Sequence, residues 1–134
     1  MALEVVSRMG VKRLEDLIAF QRAVSFKLSV YRVVRDSEPA SRDLKFRSQL
    51  LAAASSTESC VVEGWHRHKA GEMAQFLRYA RASAAEADMW LRDGVARGYF
   101  TCQQIQEAQH DGRKALAAIT NLWKSLQPFI NPRR

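Results

Sequence analysis

Only six glycines and three prolines occur in 134 residues. Several of them mark the ends of long stretches in which apolar residues recur three and four positions apart. That spacing matches the 3.6-residue turn of an α-helix, and no alternating, strand-like run competes with it. The first predicted helix covers about residues 14–35, with Leu14, Leu17, Gln21, Val24, Leu28 and Tyr31 as its seam. Asp36-Ser37-Glu38-Pro39 closes it and opens a second helix, about 40–65, since proline is tolerated in a first turn. In the second helix Phe46, Leu50, Ala53, Thr57 and Cys60 form one stripe, and the small run Ala52–Thr57 permits close helix–helix approach. The third, about 70–97, carries Met73, Phe76, Leu77, Ala80, Ala84, Ala87 and Leu91, with Gly98 placed to end it. A T-x-x-Q capping box, Thr101 and Gln104, opens the fourth at about 101–126, whose buried face runs from Ile105 through Ala108, Gly112, Ala115 and Ile119 to Leu126. Residues 1–13 and 127–134 read as tails, the latter marked by Pro128 and Pro132 and ending in Arg133-Arg134. The fold expected is all-α, an antiparallel up-down four-helix bundle, in a single domain over residues 1–134.

Lys and Arg total 21 against 14 Asp and Glu, a formal net charge of +7. Such an excess favours acidic partners such as nucleic acid or anionic lipid, because the summed field concentrates them at the surface. It also serves plain solubility. Cys60 and Cys102 stand apart from each other and from any ligand-spaced partner, which suits a reducing compartment. Neither a signal-peptide run nor a charge-free membrane span is present, so a cytoplasmic protein without membrane contact is expected.

The first helix is apolar on more than one face. At about 100° per residue, Ala23, Phe26, Val30 and Val33 point away from the Leu14–Leu28 seam. Tyr79 and Trp90 flank the core stripe of the third helix. A bundle needs one buried stripe per helix, so these residues are candidates for a homo-oligomer interface. Covering the N-terminal tail is the alternative use for the apolar residues of the first helix.

Chemistry is sparse. Two Glu-x-x-His motifs, Glu63 to His66 and Glu107 to His110, have the spacing used by di-metal carboxylate bundles. Glu107 and His110 fall opposite the buried face of the fourth helix, however, so they point to water and no metal or cofactor is expected. Glycine-rich phosphate loops, nucleophile elbows and Cys/His pairs are missing from the pattern, and the chain is expected not to be an enzyme. A basic cluster, His66, Arg67, His68 and Lys69, occupies the link between the second and third helices. Arg78, Arg81 and Arg92 share one flank of the third helix. Together they are candidates for phosphate contacts, with Trp65 either stacking on a base or plugging the core. Glu63 and Gly64 are read as a structural hinge, the glutamate pairing with Arg67 or a base of the third helix and the glycine admitting close packing.

In their order these residues resemble the intervening-sequence-encoded four-helix bundle family, to which the accessory variability determinant of diversity-generating retroelements is related. Asp16-Leu17-Ile18-Ala19-Phe20-Gln21-Arg22-Ala23 looks like the family's opening D-L-x-x-W/F-Q-x-A. Glu63-Gly64 with Arg67 matches E-G-x-x-R, and Phe76-Leu77, Ala80, Ser83 and Glu86 match F-L-x-x-A-x-G-S-x-x-E, except that Ala82 replaces the glycine. Ala52-Ala53 stands where an Arg-Ala pair is usual, and Cys60 where an asparagine is. The resemblance implies a non-enzymatic bundle in a ring-like homopentamer whose basic surface meets RNA or DNA. A protein-docking scaffold, for example for a reverse transcriptase, is the alternative it implies.

Overall fold

The computed structural model describes residues 2–130, with side chains from Glu4 onward. Every regular element among them is helical: α1 (Ala2–Arg8), a 3₁₀ turn (Leu14–Asp16), α2 (Ile18–Arg35), α3 (Glu38–Arg42), α4 (Leu44–Trp65), α5 (Ala70–Ala96) and α6 (Gln106–Ile130). The four long helices pack in a cycle, α2 on α4, α4 on α5, α5 on α6 and α6 back on α2. Pro132, Arg133 and Arg134 of the expected basic tail lie outside the described residues.

Local chemistry explains where the elements start and stop. Ser37 caps α3 by accepting from the Ala40 amide at 3.3 Å, with Pro39 in the first turn. Asp43 then accepts from the Phe46 amide at 3.1 Å and starts a new helix. The single helix expected over 40–65 is therefore broken at Asp43, because a short acidic side chain competes for the backbone amides that would have continued it. Gly98, at φ +80°, ends α5 in a Schellman motif: its own amide donates to the Val95 carbonyl at 3.0 Å and that of Tyr99 to Gly94 at 2.8 Å. Thr101 and Gln104 form the reciprocal capping pair, at 3.1 and 2.8 Å. The regular helix begins only at Gln106, one turn beyond the expected start. At its other end α6 continues past Leu126 to Ile130, with Pro128 inside the last turn. A proline φ is compatible with a helix, and the packing of Ile130 on the core offsets the one lost N–H bond.

Two expectations for the N-terminal third are corrected. Residues before Leu14 are not only a tail: α1 inserts Val5 and the fully buried Val6 into the core beside Trp65, Met73 and Leu126. The inner and outer faces of the first long helix are also exchanged. Ala23, Phe26 and Val30 are at most 1% exposed and belong to the core of the single chain, whereas Leu28 and Tyr31 of the expected seam face solvent. These three are therefore not interface residues. Two stripes with helical spacing were available, and the one that wins, Ala19, Ala23, Phe26, Val30 and Val34, is apolar, with Ser29 beside it as the one buried polar residue of α2, its hydroxyl donating to Asp111. The other begins in the 3₁₀ turn, before the helix proper, and contains Gln21.

The core divides into two clusters along the helices. One gathers Val6, Leu17, Val61, Trp65, Met73, Leu77, Ile119 and Leu126, the other Phe26, Val30, Phe46, Leu50, Leu91, Phe100 and Ile105. Each fully buried side chain of this size contributes about 1.5–3 kcal/mol. In the middle of the α4–α5 contact the Ser56 and Ser83 hydroxyls meet at 2.9 Å, the close approach that the small residues 52–57 permit. The buried Thr57 hydroxyl donates to its own helix at the Ala53 carbonyl, 3.0 Å away.

Candidate nucleic-acid interface

The basic residues of the α4–α5 link split between two faces. His66 ends α4 and Lys69 precedes α5; both are exposed, as is His68. Arg67 turns back onto the helices. Its guanidinium is 3.2 Å from Glu63 and lies over the Phe76 ring at 4.5 Å, on the side of α5 that faces α4. Gly64 is buried in the same place: a Cβ there would come within 3.2 Å of Phe76 Cβ and 3.3 Å of the Met73 carbonyl oxygen. Glu63, Gly64, Arg67 and Phe76 thus lock the angle between the two helices. Trp65 is 7% exposed and packs in the core, so base stacking by this residue is corrected to the packing alternative.

Arg78, Arg81 and Arg92 lie on the opposite side of α5. With Ala85 and Asp88 they recur three and four residues apart, a stripe along one flank. Gln109, Arg113 and Leu116 form the facing stripe of α6. The flanks are joined where Gln109 Nε2 donates to Asp88 Oδ1 at 3.2 Å, and Arg92 Nε reaches Asp88 Oδ2 at 2.9 Å. Arg78, Arg81 and Arg113 have no ion pair among the described residues, and Arg81 Nε is buried without a hydrogen-bond partner. Four arginines therefore line this seam against a single carboxylate, Asp88. Arg113 and Gln109 were missed in the sequence. Their four-residue spacing gave a signal, but it acquires meaning only once α6 is laid against α5.

A cleft of about 240 Å³ opens in the seam, bounded by Asp88, Arg92, Gln109 and Arg113 above Phe26, Ala84, Ala85 and Leu116. The profile of the 23S rRNA-intervening sequence protein family matches residues 15–121. The chain belongs to that family. The match begins inside the 3₁₀ turn, takes in α2 to α5 and most of α6, and leaves α1 outside. No curated protein matches the chain.

The remaining candidates are scattered. Tyr79 is 48% exposed and stacks edge-on against Phe76 at 5.6 Å, its hydroxyl accepting from Gln75. Trp90 is half-buried against Phe46, with Nε1 buried and unbonded, and Val33 is half-buried on α2. Glu107, of the second Glu-x-x-His motif, pairs with Arg32 at 3.4 Å on the surface, and His110 is exposed. No three His, Cys, Asp or Glu side chains among the described residues are grouped to hold a metal ion. Cys60 and Cys102 are free thiols. Among the described residues no helix is long and apolar enough to cross a membrane.

Proposed function

We propose that this protein is a non-enzymatic, nucleic-acid-associated four-helix bundle of up-down topology that works as a homo-oligomer. The observation that carries the reading is the arginine seam of α5 and α6, with Arg78, Arg81, Arg92 and Arg113 set against Asp88 alone. Guanidinium groups spaced along two adjacent helices suit successive phosphates, and the overall charge of +7 adds long-range attraction. The family's name, which refers to an intervening sequence of 23S rRNA, makes RNA the first nucleic acid to try. Two free thiols and the lack of a spanning helix among the described residues suit a cytoplasmic setting.

Self-association rests on a different face. Leu44, Leu51 and Glu58 recur every seven residues on α4, and Glu58 meets Lys27 of α2 at 2.8 Å. The flank of α4 that carries Leu44, 71% exposed, therefore adjoins the flank of α2 that carries Lys27 and Tyr31. Leu28, also exposed, extends this apolar surface along α2. A surface of this kind favours a second copy of the chain, and also supports a docking scaffold for another protein.

Titration of the protein into labelled RNA and DNA at increasing salt, with mass measured by light scattering, tests both parts. Binding that weakens steeply with salt, by a particle larger than one chain, is expected. Absence of binding at low salt would overturn the nucleic-acid reading and leave the scaffold. A monomer would overturn the oligomer.

A further inference from the structure

We infer that the cleft between α5 and α6 receives one unpaired nucleobase, so that the nucleic acid taken by this surface is single-stranded; this rests on the nucleic-acid reading above. The size of the cleft sets the first limit. At about 240 Å³ it is smaller than the roughly 300–1,000 Å³ of pockets that enclose whole small-molecule ligands, and it suits one ring system.

Its floor is apolar, lined by Ala84, Ala85 and Leu116 over the buried Phe26 ring. Gly112 presents bare backbone to the edge of the Phe26 ring, since a Cβ at that position would lie 2.9 Å from Phe26 Cε1. Ala84 and Ala85 keep the opposite side low. A planar ring fits such a floor, whereas a phosphate or a hydrated sugar gains nothing from it.

The rim supplies the polar part. Asp88 takes one donor on each oxygen, Gln109 on Oδ1 and Arg92 on Oδ2. A carboxylate has about four acceptor positions, so capacity remains for a donor entering the cleft. Adenine, cytosine and guanine can offer it a projecting exocyclic amine, whereas uracil and thymine have only a ring N–H set between two carbonyls, whose oxygens the carboxylate repels. Arg113, which has no ion pair among the described residues, and Arg92 stand at the mouth, where the flanking phosphates of an inserted base would pass. A base stacked inside a duplex cannot reach the floor without being extruded, which favours single strands.

The test uses the full chain and fluorescence anisotropy with short oligocytidine, oligouridine and a duplex of equal length. Ala85 is exposed, so Ala85→Phe can fill the cleft from the exposed side of its floor without removing a charge, and its melting curve reports whether the fold is kept. Expected is tighter binding of oligocytidine than of oligouridine or duplex. Ala85→Phe should weaken oligocytidine by roughly tenfold or more, and by more than it weakens the duplex. Asp88→Asn should abolish the difference between cytidine and uridine. Unchanged oligocytidine binding by folded Ala85→Phe overturns the inference while the nucleic-acid reading stands. Competition by cytidine monophosphate as effective as by the oligonucleotide would assign the cleft to a free nucleotide, and also overturns it. If no probe binds at low salt, both readings fall together.

Discussion

The Tyr99 hydroxyl donates to Asp43 Oδ2 at 2.6 Å, joining the link between α5 and α6 to the break between α3 and α4. Asp43 is the N-cap of α4, and Arg97 also reaches it at 3.3 Å while lying over the Phe46 ring. One carboxylate thus holds three parts of the chain at the Phe46 end of the core.

That arrangement makes stability depend on pH at both extremes. The Tyr99 hydroxyl, the Phe46 amide and then the Arg97 charge hold the Asp43 carboxyl below its ordinary 3.8. Its contribution is therefore fully present above that value and is lost as pH falls through the lowered one. The same bond raises the Tyr99 phenol above 10.0, so its contribution is present below that value and lost as pH rises through the raised one. Thermal melts across both limbs should show Tyr99→Phe less stable near neutrality and less sensitive at each extreme. Parallel curves for the two proteins would refute the assignment.

Two glycines at the end of α5 should respond to alanine for different reasons. A Cβ at Gly94 would overlap the Phe100 ring and approach Phe46 Cζ to 2.9 Å. Overpacking of about 1–3 kcal/mol should then outweigh the roughly 1 kcal/mol gained in helix propensity. Gly98 has open space around its Cα, so Gly98→Ala should lose only the roughly 1–2 kcal/mol of a left-handed backbone. Urea unfolding of the two variants, with unchanged m-values, checks both.

Docking of α1 should depend on Val6, which is fully buried. Val6→Asp should release α1, remove its hydrogen-exchange protection and expose Trp65, while α2 to α6 remain protected. Global loss of protection would mean that α1 is indispensable to the core.

Salt dependence should separate the two groups of arginines. Arg113→Ala and Arg78→Ala should each lower the slope of log K against log salt by about 0.7–0.9. Arg67 is already engaged by Glu63 and Phe76, so Arg67→Ala should change stability more than the slope. Equal slopes for all variants would remove the α5–α6 seam from the binding surface.

Helix existence was legible because the apolar spacing of α4, α5 and α6 has few competing phases; Met73, Leu77, Ala84, Leu91, Ile119 and Leu126 are all buried as expected. The phase of α2 was not, since Leu28 and Phe26 both belong to well-spaced stripes and only the neighbouring helices choose between them. Asp43 lies in good helical context, and its role as a cap shows only when its side chain turns onto the Phe46 amide. In the candidate interface, Arg78, Arg81 and Arg92 were legible as a flank. Their partners on α6 are brought there by tertiary packing, and Trp65, adjacent in sequence to the basic cluster, is removed from the surface by the same packing.

The division of the core also shapes how this chain tolerates change. Leu126 and Phe46 belong to different clusters with no shared members. Substitutions at the two ends should add rather than compound, so a lineage can remodel one end of the molecule while the other continues to hold its shape.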